Sequence, residues 1–185
     1  MGHINKLEQP GTVLVVIDMQ EAFRSAIGDF ALIASRISTA VRGFQVLGCP
    51  VVVTEQYPKG LGHTAEEIGL VLDESVQVLE KSTFSAGGVE QFTGTLRSLG
   101  ARQIVLCGIE THVCVNQTAH DLLAEGFAVH LLADCVGSRF EHDKQAGLEK
   151  MWRSGVVPSS TELALFELMG DSRHEKFKEI QELIR

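Results

Sequence analysis

The stretch Gln103-Ile-Val-Leu-Cys-Gly-Ile-Glu-Thr-His-Val-Cys114 decides the fold. Residues 103–107 form a short apolar run, the length and composition of a buried strand. Gly108 opens a turn, and a helical pattern follows over 113–125 until Gly126, a common helix stop. A second strand-like run at 127–132 then ends near Asp134. Strand, loop, helix and strand in this order make a crossover unit whose two strands run parallel. The same alternation extends in both directions. Upstream lie apolar runs at 12–17, 51–54 and 76–79, with helical patterns at 31–47 and 88–99. Downstream lie helices near 142–154, 162–169 and 174–184, around a short strand at 156–157. Continuous apolar strands, rather than alternating ones, predict an α/β fold with a parallel sheet covered on both faces.

Composition bounds the function classes. The chain has 185 residues, with 44% hydrophobic and 22% charged, and it predicts one globular domain over 1–185. Sixteen basic against twenty-four acidic residues leave a net charge of −8, which argues against a nucleic-acid partner. No apolar run is long enough to span a bilayer, and no export signal is legible. A cytoplasmic protein with free thiols and no membrane partner is expected. The four cysteines, Cys49, Cys107, Cys114 and Cys135, show no metal-ligand spacing.

In a parallel sheet, ligands bind beyond the carboxyl ends of the strands. That rule selects Asp18, Glu55, Gln56, Lys81, the segment 108–114 and Asp134. Asp18 ends an otherwise apolar strand; it reads as a loop cap or as a general acid–base. Lys81 is a solvated loop lysine unless a carboxylate and a thiol lie beside it. In that company it would lower the thiol pKa. Cys114 falls near a helix start, where backbone N–H groups and the dipole favour a thiolate. The alternative is a core cysteine in the first turn.

Three segments, Val-Val-Ile-Asp18-Met-Gln, Glu-Lys81-Ser-Thr-Phe-Ser and Gly-Ile-Glu-Thr-His-Val-Cys114-Val, resemble the signatures of the isochorismatase-like cysteine hydrolases. Residues 54–62 and 177–184 are most similar to the isochorismatase domain-containing branch. The resemblance implies a Rossmann-like three-layer α/β/α fold with a six-stranded sheet in the order 3-2-1-4-5-6. It implies Cys114 as nucleophile, Asp18 as proton carrier and Lys81 as electrostatic partner. It also implies a cis peptide at Ile109-Glu110 and an oxyanion hole built from the Val113 and Cys114 amides. Nicotinamidases carry an Asp-x-His metal motif after the second strand. Here that region reads Thr-Glu-Gln-Tyr-Pro-Lys-Gly-Leu-Gly-His63, so no metal and no cofactor are expected.

Gln20, Phe23, Gln56, Tyr57, Phe84 and His112 are candidate pocket residues by position. The leading expectation is a metal-independent amidase with a small-molecule substrate, assembled as a homo-oligomer. The alternatives are an acid-catalysed vinyl-ether hydrolase, in which Cys114 is incidental, and a non-catalytic oligomeric scaffold.

Overall fold

The computed structural model describes residues 5–185. Strands β1 (Thr12–Ile17), β2 (Val51–Gln56), β3 (Gln77–Lys81), β4 (Gln103–Ile109), β5 (Ala128–Gly137) and β6 (Val157–Ser159) form one sheet. Its order is β3-β2-β1-β4-β5-β6, and every neighbouring pair is parallel. Helices α1 (Phe30–Val46), α2 (Pro58–Leu61), α3 (Glu66–Gly69), α4 (Glu90–Ser98), α5 (Asn116–Ala124), α6 (Glu141–Arg153), α7 (Thr161–Met169) and α8 (Phe177–Leu183) connect and cover it. The expected fold class and strand order are observed. No helix of the described residues is long and apolar enough to cross a membrane.

The central strand shows why its sequence is apolar without alternation. Leu14 and Val16 pack into one core with Ile37 of α1, Leu165 of α7 and Ile180 of α8. Val13, Val15 and Ile17 pack into the other with Phe92 of α4, Leu122 of α5 and Met151 of α6. Side chains alternate across a strand, so a strand with a core on each face needs an apolar residue at every position. Each such burial contributes roughly 1.5–3 kcal/mol.

Several strand ends differ from the sequence reading, and β2 runs on to Gln56 and β3 to Lys81, residues expected just past them. Gly108 does not open a loop: β4 continues to Ile109, pairing Gly108 with Ile17 on one side and Val136 on the other. β5 likewise continues past 132, which puts Asp134 inside a strand instead of beyond its end. Asp134 accepts the Thr161 N–H at 3.0 Å and pairs with Arg36 at 3.4 Å. It serves the start of α7 and lines a separate cavity with Arg36, Thr161 and Leu183. The short elements between β1 and α1 and between β2 and β3 carry too few residues for a periodic signal.

Gly108 makes the β1–β4 seam possible. Its φ is 116°, and a Cβ there would lie 2.0 Å from the Ile17 carbonyl oxygen, one residue before Asp18. The obstruction is backbone, which cannot swing aside. Gly108→Ala should destabilise the fold by about 3 kcal/mol or more, read as a lower urea midpoint at unchanged slope. A loss within about 0.5 kcal/mol would show that the seam tolerates a side chain.

Candidate active site

β1, β2 and β3 end side by side, and their registers bring the polar residues together. Ile17 pairs with Thr54, and Gln56 with Lys81. Asp18 takes a left-handed φ of 47°, and its N–H donates to the Thr54 carbonyl at 3.1 Å. Aspartate is among the few side chains that tolerate this region. Asp18 Oδ1 accepts the Thr54 hydroxyl at 2.7 Å, while Oδ2 lies 2.6 Å from Lys81 Nζ. Both charged side chains are only 2% exposed. Lys81 is therefore not a solvated loop residue: it is the last residue of β3 and is buried.

The Lys81 ammonium has three protons, and three acceptors take them in good geometry. These are Gln56 Oε1 at 2.8 Å, the Thr83 carbonyl at 3.0 Å and the Phe84 carbonyl at 2.9 Å. Asp18 Oδ2 is in charge contact with Nζ, and the Asp18 carboxylate is also within hydrogen-bonding reach of the Cys114 thiol. Its lone pairs stay available to another proton. The loop that supplies the two carbonyls is anchored to α5, because Ser85 donates to Asp121 at 2.6 Å and Thr118 accepts the Ala86 N–H at 3.0 Å.

Cys114 stands in a widened helical turn, Thr111–Val115, that runs directly into α5. The turn lies close against α6: a Cβ on Gly147 would approach the His112 Cα to 2.8 Å. Cys114 is 8% exposed, and its Sγ donates weakly to Gln56 Oε1 at 3.7 Å. Burial and the Asp18 charge together push this thiol up to about 12, against the smaller opposing pull of Lys81. Lys81 acts in the direction expected, but the expected net lowering is corrected: burial and Asp18 outweigh it, and the thiol is pushed up. The Ile109-Glu110 peptide is cis. The Val113 N–H donates to the Glu110 carbonyl at 3.0 Å, so one of the two amides expected in an oxyanion hole is occupied within the turn.

These groups border a cavity of about 260 Å³ lined by Asp18, Phe23, Gln56, Tyr57, Leu61, Phe84, Ile109, Glu110, Val113 and Cys114. Phe23, Gln56, Tyr57 and Phe84 fall where position suggested. Gln20 and His112 do not. Gln20 is a buried strut that donates to the Gln56 and Gly62 carbonyls and accepts the Gln56 N–H. The His112 ring pairs with Ser138 at 3.0 Å, behind the turn. Thr54, Leu61 and the Glu110 side chain are site residues that sequence reasoning missed. Only Thr54 had a signal, since residues at matched strand ends become neighbours.

Glu55 is tied into loop structure. It accepts the Thr64 N–H at 2.7 Å, the Thr64 hydroxyl at 2.8 Å and the His63 ring at 3.0 Å. Among the described residues no group of three or more His, Cys, Asp or Glu is arranged to hold a metal ion.

The isochorismatase domain family matches residues 12–162. Isochorismatase domain-containing protein 1 of Salmo salar is 45% identical over 174 residues, covering 94% of this chain and 61% of that protein. The chain thus spans less than two thirds of that relative's length. Isochorismatase domain-containing protein 2 of Danio rerio is 40% identical over 185 residues, covering 100% of this chain and 92% of its own. Among solved structures, the MAR1 ribonuclease of Caenorhabditis elegans superposes with a TM-score of 0.92 at 37% identity. That match covers 97% of this chain and 92% of the other.

The thiol environment is directly measurable. Thiolate absorbance, taken as wild type minus Cys114→Ser, should show the wild-type thiol un-ionised throughout the neutral range. Asp18→Asn removes the negative charge that opposes ionisation and should move the titration to lower pH. Lys81→Met removes the opposing positive charge and should move it higher. A wild-type midpoint near the unperturbed value of about 8.5 would contradict this environment.

Proposed function

The chain belongs to the isochorismatase domain family, and on that premise we propose that it is a cysteine hydrolase cleaving the C–N bond of a small amide. The observation that carries this reading is the meeting of the Cys114 thiol with the buried Asp18 carboxylate, itself paired with Lys81, at one cavity. As the amide carbonyl approaches, Asp18 Oδ2 takes the thiol proton and Cys114 Sγ bonds to the carbonyl carbon. The carbonyl electrons move to oxygen, where the Cys114 amide, in the turn that leads into α5, stabilises them. The tetrahedral centre collapses, the C–N bond breaks, and Asp18 passes its proton to the leaving amine. Water then attacks the thioester, with Asp18 again accepting a proton. The acid departs, and the proton returns to sulfur.

Lys81 has a different part. It never delivers a proton, since three fixed acceptors hold its hydrogens. Its positive charge holds the Asp18 carboxylate in place at 2.6 Å and offsets the charge that builds on sulfur. A thiol buried at this pKa is a poor nucleophile until its base acts. Proton transfer and attack are therefore coupled, in contrast to a preformed thiolate.

The relative from Caenorhabditis elegans is described as a ribonuclease. Here the net charge of −8 and a cavity of about 260 Å³ favour a small neutral or cationic substrate over a polyanion.

The test is release of ammonia or amine from a panel of small amides, with mass spectrometry for an acyl group on Cys114. Cys114→Ser should lose at least about a thousandfold in kcat/KM. Wild-type kcat/KM should be nearly flat around neutral pH. The residual activity of Asp18→Asn should instead climb about tenfold per pH unit, because only preformed thiolate can then react. Turnover that survives Cys114→Ser but vanishes in Asp18→Asn would point to acid-catalysed hydrolysis with the thiol incidental. No turnover of amides or RNA, with no acyl-enzyme, would favour a scaffold.

A further inference from the structure

Glu110 is a carboxylate on the cavity wall that the proposed chemistry does not use. Its side chain is 8% exposed, and it borders the same cavity as Cys114. Its partner is Arg139, whose contacts fall on a single oxygen. The Arg139 backbone N–H donates to Oε1 at 3.0 Å and the side-chain Nε donates to the same Oε1 at 3.1 Å. An arginine that neutralises a carboxylate fully does so in a fork, one donor to each oxygen. Here both donors crowd one oxygen, and among the described residues no donor is directed at Oε2. Oε2 is not among the sealed, unpartnered atoms either, so it retains access to space.

Apart from the Tyr57 hydroxyl, the other polar side chains of the cavity are already engaged. Gln56 Oε1 accepts from Lys81 and Cys114, and its Nε2 donates to the Ser82 carbonyl at 2.9 Å. Asp18 is held by Thr54 and Lys81. The rest of the wall is apolar, with Phe23, Leu61, Phe84 and Val113. A mostly apolar cavity takes its selectivity from a few placed polar groups. Asp18 Oδ2 has its part in the proposed chemistry; Glu110 is a wall carboxylate whose Oε2 neither that chemistry nor the fold engages.

We propose that Glu110 is a specificity-determining residue that receives a cationic or N–H donor group carried by the substrate. Resting on the amidase reading, this narrows the substrate to a small amide whose apolar body bears an ammonium, amidinium or similar donor. The placement also links recognition to chemistry. The Glu110 charge is one of the influences that keep the Cys114 thiol protonated, and a bound cation would cancel it as the carbonyl reaches sulfur.

The test uses alkylation of Cys114, which does not require amide hydrolysis. The probes are N-(2-aminoethyl)acrylamide and its neutral counterpart N-propylacrylamide. In each, Sγ bonds to the β-carbon while the thiol proton leaves through Asp18 and ends on the α-carbon, with nothing oxidised or reduced. Rates are read as Cys114 adducts by mass spectrometry and normalised to reaction of the same probes with free glutathione. The wild type should favour the cationic probe by at least about tenfold, as a site built around a polar contact does. Glu110→Gln should bring the preference close to one. Glu110→Asp, which keeps the charge but withdraws it by a methylene, should also lose most of it. No wild-type preference would overturn the proposal without recourse to a variant. A preference retained in Glu110→Gln would overturn it too, and one lost in Glu110→Gln but kept whole in Glu110→Asp would replace contact with a diffuse field. Failure of hydrolysis in the amide panel, with the alkylation preference intact, would reject the amidase reading and leave the recognition site standing.

Discussion

A buried ion pair governs this structure. Asp18 and Lys81 place opposite charges 2.6 Å apart at a sheet edge where both are 2% exposed. Withdrawing two ions from water costs several kcal/mol each unless the protein replaces the lost solvation. The surroundings do so: a hydroxyl from β2 on one carboxylate oxygen, and a side-chain amide with two loop carbonyls on the ammonium. Those carbonyls exist at the right distance only because the loop after β3 is fastened to α5. α5 in turn continues the turn that carries Cys114. Loop, helix and strand ends thus answer to one electrostatic requirement.

The frame was legible in the sequence because it depends on pattern. Strands with two buried faces must be apolar throughout, and Val13 to Ile17 could be read in no other way. The polar residues past those strands were legible because topology collects them at one edge. What escaped depended on local geometry. Gly108 reads as a turn residue, yet it is a strand residue because the β1 backbone approaches too closely for a Cβ. Asp134 follows an apolar run but stays within β5, whose register shifts where it meets β4 between Leu106 and Gly108.

Side-chain direction was the larger gap. His112 is two residues from the thiol and faces Ser138, while Glu110 is four residues away and borders the cavity. Spacing along an irregular turn does not determine which side chain faces inward, since the regular helical period fails there. The electrostatic error had a similar source. Helix starts and lysines lower a thiol pKa when solvent is near, but at 8% exposure the loss of hydration and an adjacent carboxylate prevail.

The upward push on the Cys114 thiol bears on the durability of the site. Thiolates attack peroxides and disulfides, and cysteines that sense oxidants are acidic and open to solvent. Burial and the Asp18 charge push the Cys114 thiol up, away from ionisation at neutral pH. Its three fellow cysteines are buried as well. A buried thiol held away from ionisation is a poor target for oxidants, and the same burial and Asp18 charge that disfavour its thiolate protect it from them.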